Sequence, residues 1–140
     1  MDGGLRKLFR ERFPEAHWTS VETGGTGLGI PDSEYCFPGG VQGWVEFKLT
    51  RARAVRVSPE QVAWAERRSR VGGRVYLAVR CQALPGPRRA ARDALFLYGG
   101  TQARAVLLDG LQAHPLGSWV GGPARWDWTE VKSLLTKANR

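Results

Sequence analysis

The stretch Arg74-Val75-Tyr76-Leu77-Ala78-Val79-Arg80 constrains the fold most, because its centre is apolar at every position. Successive side chains of a strand point to opposite faces, so a strand that is apolar throughout has to be covered on both. A chain that contains it needs a sheet with helices or other structure packed against each side. Just upstream, Ser58-Pro59-Glu60-Gln61 is a good helix start: Ser58 caps, Pro59 suits the first helical position, and Glu60 complements the helix dipole. The helix carries Val62, Trp64 and Ala65, passes through Arg67, Arg68 and Arg70, and stops at Gly72-Gly73.

Further elements follow from spacing. Leu5, Leu8, Phe9 and Phe13 recur at helical intervals over residues 4–13, with Arg6, Lys7, Arg10 and Arg12 elsewhere on the surface, until Pro14 discourages continuation. The basic side of this helix suits a phosphate backbone. His17 to Thr23 reads as a strand ending near Glu22, and a glycine-containing loop follows it. Tyr35 to Leu49 resembles a hairpin turning at Pro38-Gly39-Gly40. Ala94–Tyr98 and Ala103–Leu108 look like two more strands joined near Gly99-Gly100, and Leu84–Asp93 is an arginine-bearing loop. Trp126–Ala138 reads as a last helix, capped by Asp127 or Thr129, with Val131, Leu134 and Leu135 facing inward. The expected class is α/β (α+β), a mixed central β-sheet flanked by helices, in one domain over residues 1–140.

Charge narrows the choice of partner. Lys and Arg number 21 against 13 Asp and Glu, a formal net charge of +8. Such a field favours polyanions, which release counterions when their phosphates are neutralised, so nucleic acid is the leading partner. A merely soluble basic protein is the plainer alternative. No apolar run approaches the roughly 20 residues that span a bilayer, and the N-terminus has no apolar signal stretch. A cytoplasmic protein is expected. Cys36 and Cys81 lie far apart among apolar neighbours and read as buried thiols. The loop Gly24-Gly25-Thr26-Gly27-Leu28-Gly29 lacks the Lys-Ser/Thr of a phosphate-binding Walker loop, so no small-molecule cofactor is expected. Its glycines instead allow a tight bend that brings Glu22 and Asp32 into one site.

The chemistry concentrates in Gly43-Trp44-Val45-Glu46-Phe47-Lys48-Leu49. On a strand, Trp44, Glu46 and Lys48 share one face while Val45, Phe47 and Leu49 share the other. Hydrolysing a phosphodiester needs a hydroxide formed near neutral pH, neutralisation of transition-state charge, and help for the leaving oxygen. Carboxylates that bind a hard divalent cation meet those needs. Asp32 and Glu46 are suited to hold Mg²⁺, with the Phe47 carbonyl as a further oxygen and Lys48 orienting the attacking water.

At this point the chain resembles the PD-(D/E)XK nuclease superfamily, through Gly29-Ile30-Pro31-Asp32 followed by Trp44-Val45-Glu46-Phe47-Lys48. With Ser58 to Trp64 and Gly72 to Arg80 added, it looks like the small phage-type VRR-NUC nucleases and the Holliday-junction resolvases, over roughly residues 18–80. The resemblance implies a restriction-endonuclease-like core and Mg²⁺- or Mn²⁺-dependent DNA cleavage. Asp32 and Glu46 match the family's metal-binding acids, Lys48 its catalytic lysine, and Glu22 the upstream acid that completes the metal site. Gln61 stands where many relatives place a glutamine facing the site. The expected function is a structure-specific endonuclease for branched DNA, and symmetric cutting of a junction favours a homodimer. Arg51, Arg53, Arg56, Arg67, Arg68 and Arg70 are the expected phosphate contacts. The alternatives are a non-cleaving nucleic-acid-binding module on the same fold, or a flap, nicking or restriction-like nuclease. An isolated Glu-x-Lys would be only a surface ion pair worth under ~1 kcal/mol.

Overall fold

Strand β4 (Val75–Gln82) runs through the interior with Val75 to Val79 buried, and structure covers both of its faces, as its apolar run requires. The computed structural model describes residues 2–21, 28–82 and 93–137. Within them the sheet follows chain order: β1 (His17–Ser20), β2 (Ser33–Phe37), β3 (Val41–Thr50), β4, β5 (Asp93–Gly99) and β6 (Gly117–Trp119). Neighbouring strands are antiparallel except β3 and β4, which are parallel and joined through helix α2 (Pro59–Arg70). The fold is α+β, with a mixed six-stranded sheet flanked by helices α1 (Leu5–Arg12), α2, α3 (Ala103–Asp109) and α4 (Trp128–Thr136). Among the described residues no helix is long and apolar enough to cross a membrane.

Two apolar layers sandwich the sheet. On one side Leu5 and Phe9 of α1 and Val131 and Leu135 of α4 pack on Tyr35, Phe37, Val45 and Phe47. On the other, Val62 and Ala65 of α2 and Ala103 and Val106 of α3 pack on Val75, Leu77 and Val79. The alternation expected for β3 is therefore realised, with Val45 and Phe47 in the first layer and Glu46 and Lys48 on the opposite face. Tyr35 spans the first layer and donates to the Leu135 carbonyl at 2.5 Å. Its ring lies across Gly43, its partner in the β2–β3 ladder.

Several sequence expectations change. Ala103–Leu108 is not a strand but most of α3. The short apolar run is ambiguous by pattern, and the tertiary core settles it, because Ala103 and Val106, three residues apart, both enter the second layer. Arg104 then reaches Glu66 of α2. The strand expected to end near Glu22 ends at Ser20, although Val21 still donates to the Asp32 carbonyl at 2.8 Å. The last helix starts at Trp128, not Trp126, because Asp127 caps it by accepting from Glu130. Trp126 lies beneath the Arg80 guanidinium instead. Residues 84–92 of the arginine-bearing loop lie outside the described residues; its Asp93 opens β5 and forms a two-point ion pair with Arg80. Cys36 and Cys81 are free thiols, both only half-buried.

The ring-over-glycine contact makes a direct prediction. A Cβ at Gly43 would sit 2.2 Å from the Tyr35 hydroxyl and 2.4 Å from the ring carbon bearing it. Gly43→Ala is expected to lower unfolding free energy by about 1–3 kcal/mol, as overpacking does, with an unchanged denaturant slope in chemical unfolding.

Candidate active site

The site forms at a notch in the sheet. The β2–β3 ladder ends at the pair Ser33 and Val45, yet β3 runs on to Thr50, so among the described residues no strand lies beside its β2-side edge from Glu46 onward. Asp32, the residue before β2, fills the first part of this gap. Its backbone N–H donates to Glu46 Oε1 at 3.1 Å, and its own Oδ2 accepts from the Phe47 N–H at 2.9 Å. A side chain thus continues the ladder where β2 stops. In an extended strand the N–H and C=O of one residue point to the same side. The Phe47 carbonyl therefore faces the notch with the Asp32 carboxylate.

Helix α2 delivers the rest. Ser58 and Gln61 form a capping box, in which Gln61 N–H donates to Ser58 Oγ at 3.1 Å and Ser58 N–H to Gln61 Oε1 at 3.0 Å. The same Oε1 accepts from Lys48 Nζ at 3.1 Å, and Gln61 Nε2 donates to Glu46 Oε2 at 3.1 Å. Lys48 Nζ lies 3.4 Å from that Oε2. One amide therefore caps a helix and locks the carboxylate and ammonium of β3. The face of α2 that bears Gln61 continues through Trp64 and Arg68, at i+3 and i+7. Trp64 meets Trp44 edge to face at 5.3 Å, and the Arg68 guanidinium lies 4.6 Å from the Trp64 ring centre. The helix can come this close because Gly29 packs on its first turn. With φ +86°, Gly29 has no Cβ to place 2.2 Å from the Glu60 carbonyl oxygen.

Electrostatics mark Glu46 as the unusual group. Burial, then the neighbouring Asp32 carboxylate, push its carboxyl up to about 7, against the opposing pull of Lys48. Two carboxylates that repel in a half-buried site form a natural seat for a cation. Asp32, Glu46, Phe47 and Lys48 line a solvent-open pocket of about 250 Å³ together with Asp2 and Arg6. Two carboxylates and a carbonyl make an all-oxygen donor set, which suits a hard divalent ion.

Of the residues expected from sequence, Asp32, Glu46, Phe47, Lys48 and Gln61 come together here, and Glu22 lies outside the described residues. Among the described residues, no three or more His, Cys, Asp or Glu side chains gather into a metal-holding group. Arg67 and Arg70 are exposed, but Arg68 is half-buried against two tryptophans and already occupied as a cation. Arg51, Arg53 and Arg56 are exposed on the segment after β3, where Thr50 Oγ1 donates to the Ala54 carbonyl and Leu111 N–H to that of Arg53. Sequence reasoning did not place Asp2 and Arg6 in the pocket. Asp2 carries a local signal only for ordering the start of α1, where its Oδ1 accepts from Gly4 N–H at 2.9 Å. Comparison of the chain with protein-family models, curated proteins and solved structures gave no match.

The raised Glu46 carboxyl sets the sign of a pH effect in metal-free protein. The folded state holds this proton more tightly than the unfolded chain, so the contribution is fully present below the ordinary value of 4.5 and is lost as pH rises through about 7. Wild-type Tm is expected to fall across that window relative to Glu46→Gln, with a loss of roughly 3 kcal/mol at most. Parallel thermal melts of the two proteins from pH 4 to 8, on the order of one pH unit apart, check this.

Proposed function

We propose that the chain is a metal-dependent endonuclease that hydrolyses phosphodiester bonds in DNA, with the PD-(D/E)XK arrangement its motifs resemble. The observation that carries this reading is the convergence of Asp32, Glu46, the Phe47 carbonyl and Lys48 on one solvent-open pocket of a basic protein. Asp32, Glu46 and the Phe47 carbonyl would hold Mg²⁺ or Mn²⁺, with Glu22 as a further acid. When bound, the cation supplies charge neutralisation at the phosphate and lowers the pKa of an attacking water.

The protein's own groups do the positioning. Lys48 is held by Gln61 Oε1 and Glu46 Oε2, so its ammonium stays aimed into the pocket where phosphate charge grows. Gln61 keeps Glu46 oriented through Nε2, and its place in the capping box ties that orientation to the first turn of α2. The Asp32 Oδ2 bond to Phe47 N–H sets the carboxylate beside the strand edge. Branched DNA is the proposed substrate, cut by a homodimer because symmetric cleavage of a junction needs two sites.

The test is cleavage by purified protein of a labelled four-way junction, flap, single strand and linear duplex, each with Mg²⁺, Mn²⁺ or chelator. Metal-dependent cutting is expected, with kcat lowered by about 10²–10⁴-fold in Lys48→Ala and Asp32→Ala. Gln61→Ala is expected to lose roughly 10–100-fold, as groups supporting a metal ligand do. Absence of cutting on every substrate, with DNA binding retained in chelator, would make a non-cleaving binding module the better account.

A further inference from the structure

We propose that the nucleic-acid backbone reaches this pocket along α1, over Arg6, Lys7 and Arg10, rather than along the arginines of α2. The inference rests on the nuclease reading for the identity of the polyanion, and it assigns the route by which that polyanion is seated. Arg6 is the pivot. It lines the pocket with Asp2, Asp32, Glu46, Phe47 and Lys48, and it also lines a second, open depression of about 510 Å³ with Lys7, Arg10, Glu11 and Ser20. The two concavities therefore meet at one residue, and a chain lying in the second has its continuation in the first.

Charge and spacing fit a phosphate backbone. Arg6, Lys7 and Arg10 are all exposed, and among the described residues none of them is in an ion pair. Other cations are already committed, Arg104 to Glu66, Lys132 to Glu15 and Arg80 to Asp93. Arg6 and Arg10 stand four residues apart on one helix face, about 6 Å along the axis, a step comparable to that between neighbouring phosphates. Arg10 also donates to Ser20 Oγ at the end of β1, which fixes its guanidinium over the depression. The apolar face of the helix explains why this side is presented so firmly. Leu5 and Phe9 are fully buried against the sheet, so α1 cannot roll, and its basic residues stay turned outward. On α2, by contrast, Arg68 stacks on Trp44 and Trp64, and Arg70 lies in the field of Glu66.

Glu11 provides a control of opposite sign. It lies in the same depression, and its carboxylate opposes a bound phosphate. The experiment measures binding of a labelled four-way junction, duplex and single strand in chelator, where cleavage does not intervene, over a salt series. It compares wild type, the triple variant Arg6→Gln/Lys7→Gln/Arg10→Gln, Glu11→Gln, and Arg67→Gln/Arg70→Gln. The triple variant is expected to bind roughly ten-fold weaker or worse, with a log–log salt slope shallower by about one unit per residue removed. Glu11→Gln is expected to bind more tightly, a gain that misfolding does not produce, and the α2 variant to keep nearly the wild-type slope. Wild-type affinity and slope in the triple variant would overturn the proposal, as would absence of any binding by the wild type. The nuclease reading fails separately: α1-dependent binding without metal-dependent cutting keeps the track and removes the enzyme, and unimpaired cutting by the triple variant does the reverse.

Discussion

The reciprocal pair of hydrogen bonds between Asp32 and β3 is the interaction on which the site depends. One joins the Asp32 backbone to the Glu46 carboxylate, and the other joins the Asp32 carboxylate to the Phe47 backbone. Together they continue a sheet ladder past the point where β2 starts, and they satisfy polar groups that a half-buried strand edge would otherwise leave unpaired. They also hold two carboxylates close enough to repel, which is part of why the Glu46 carboxyl is pushed up to about 7. Local sheet completion and chemical potential are here the same contact.

A second economy appears at Gln61. A glutamine at the third position of a helix is a routine capping partner for the residue before the helix. Here its carbonyl oxygen serves Ser58 N–H and Lys48 Nζ together, and its amide nitrogen reaches Glu46. The helix start therefore sets the angle of a site side chain. Gly29, pressed against the Glu60 carbonyl, ties the segment leading to Asp32 to that same first turn. Displacing α2 would move Gln61 and would break the packing of Gly29 on Glu60 and of Trp44 on Trp64 and Arg68.

The distribution of positive charge shows why composition is a poor guide to a binding surface. A net charge of +8 favours a polyanion and is silent on where one would lie. Arg68 is cationic, but its planar group is spent on two indole faces, a favourable packing use of the guanidinium. Arg80 is likewise paired with Asp93 and packed over Trp126. What is left for a ligand is decided by which cations find partners within the fold.

The sequence alone determined much of this protein. The apolar run of β4 demanded cover on both faces, the alternation of β3 separated Glu46 and Lys48 from Val45 and Phe47, and Ser58-Pro59 announced the start of α2. These are properties of neighbours in the chain, with periods of two or 3.6 residues that survive any tertiary arrangement. The short apolar run Ala103–Leu108 suits strand and helix alike, and only packing of Ala103 and Val106 beside α2 chose the helix. Asp2 and Arg6 were invisible as pocket residues, since they lie 26 to 46 residues from their pocket partners in the chain. Their place follows from the burial of Leu5 and Phe9, which lays the start of α1 beside the notch. Only the tertiary structure could decide such placements, because they are set by which apolar faces meet, and charged groups ride on those faces without choosing them.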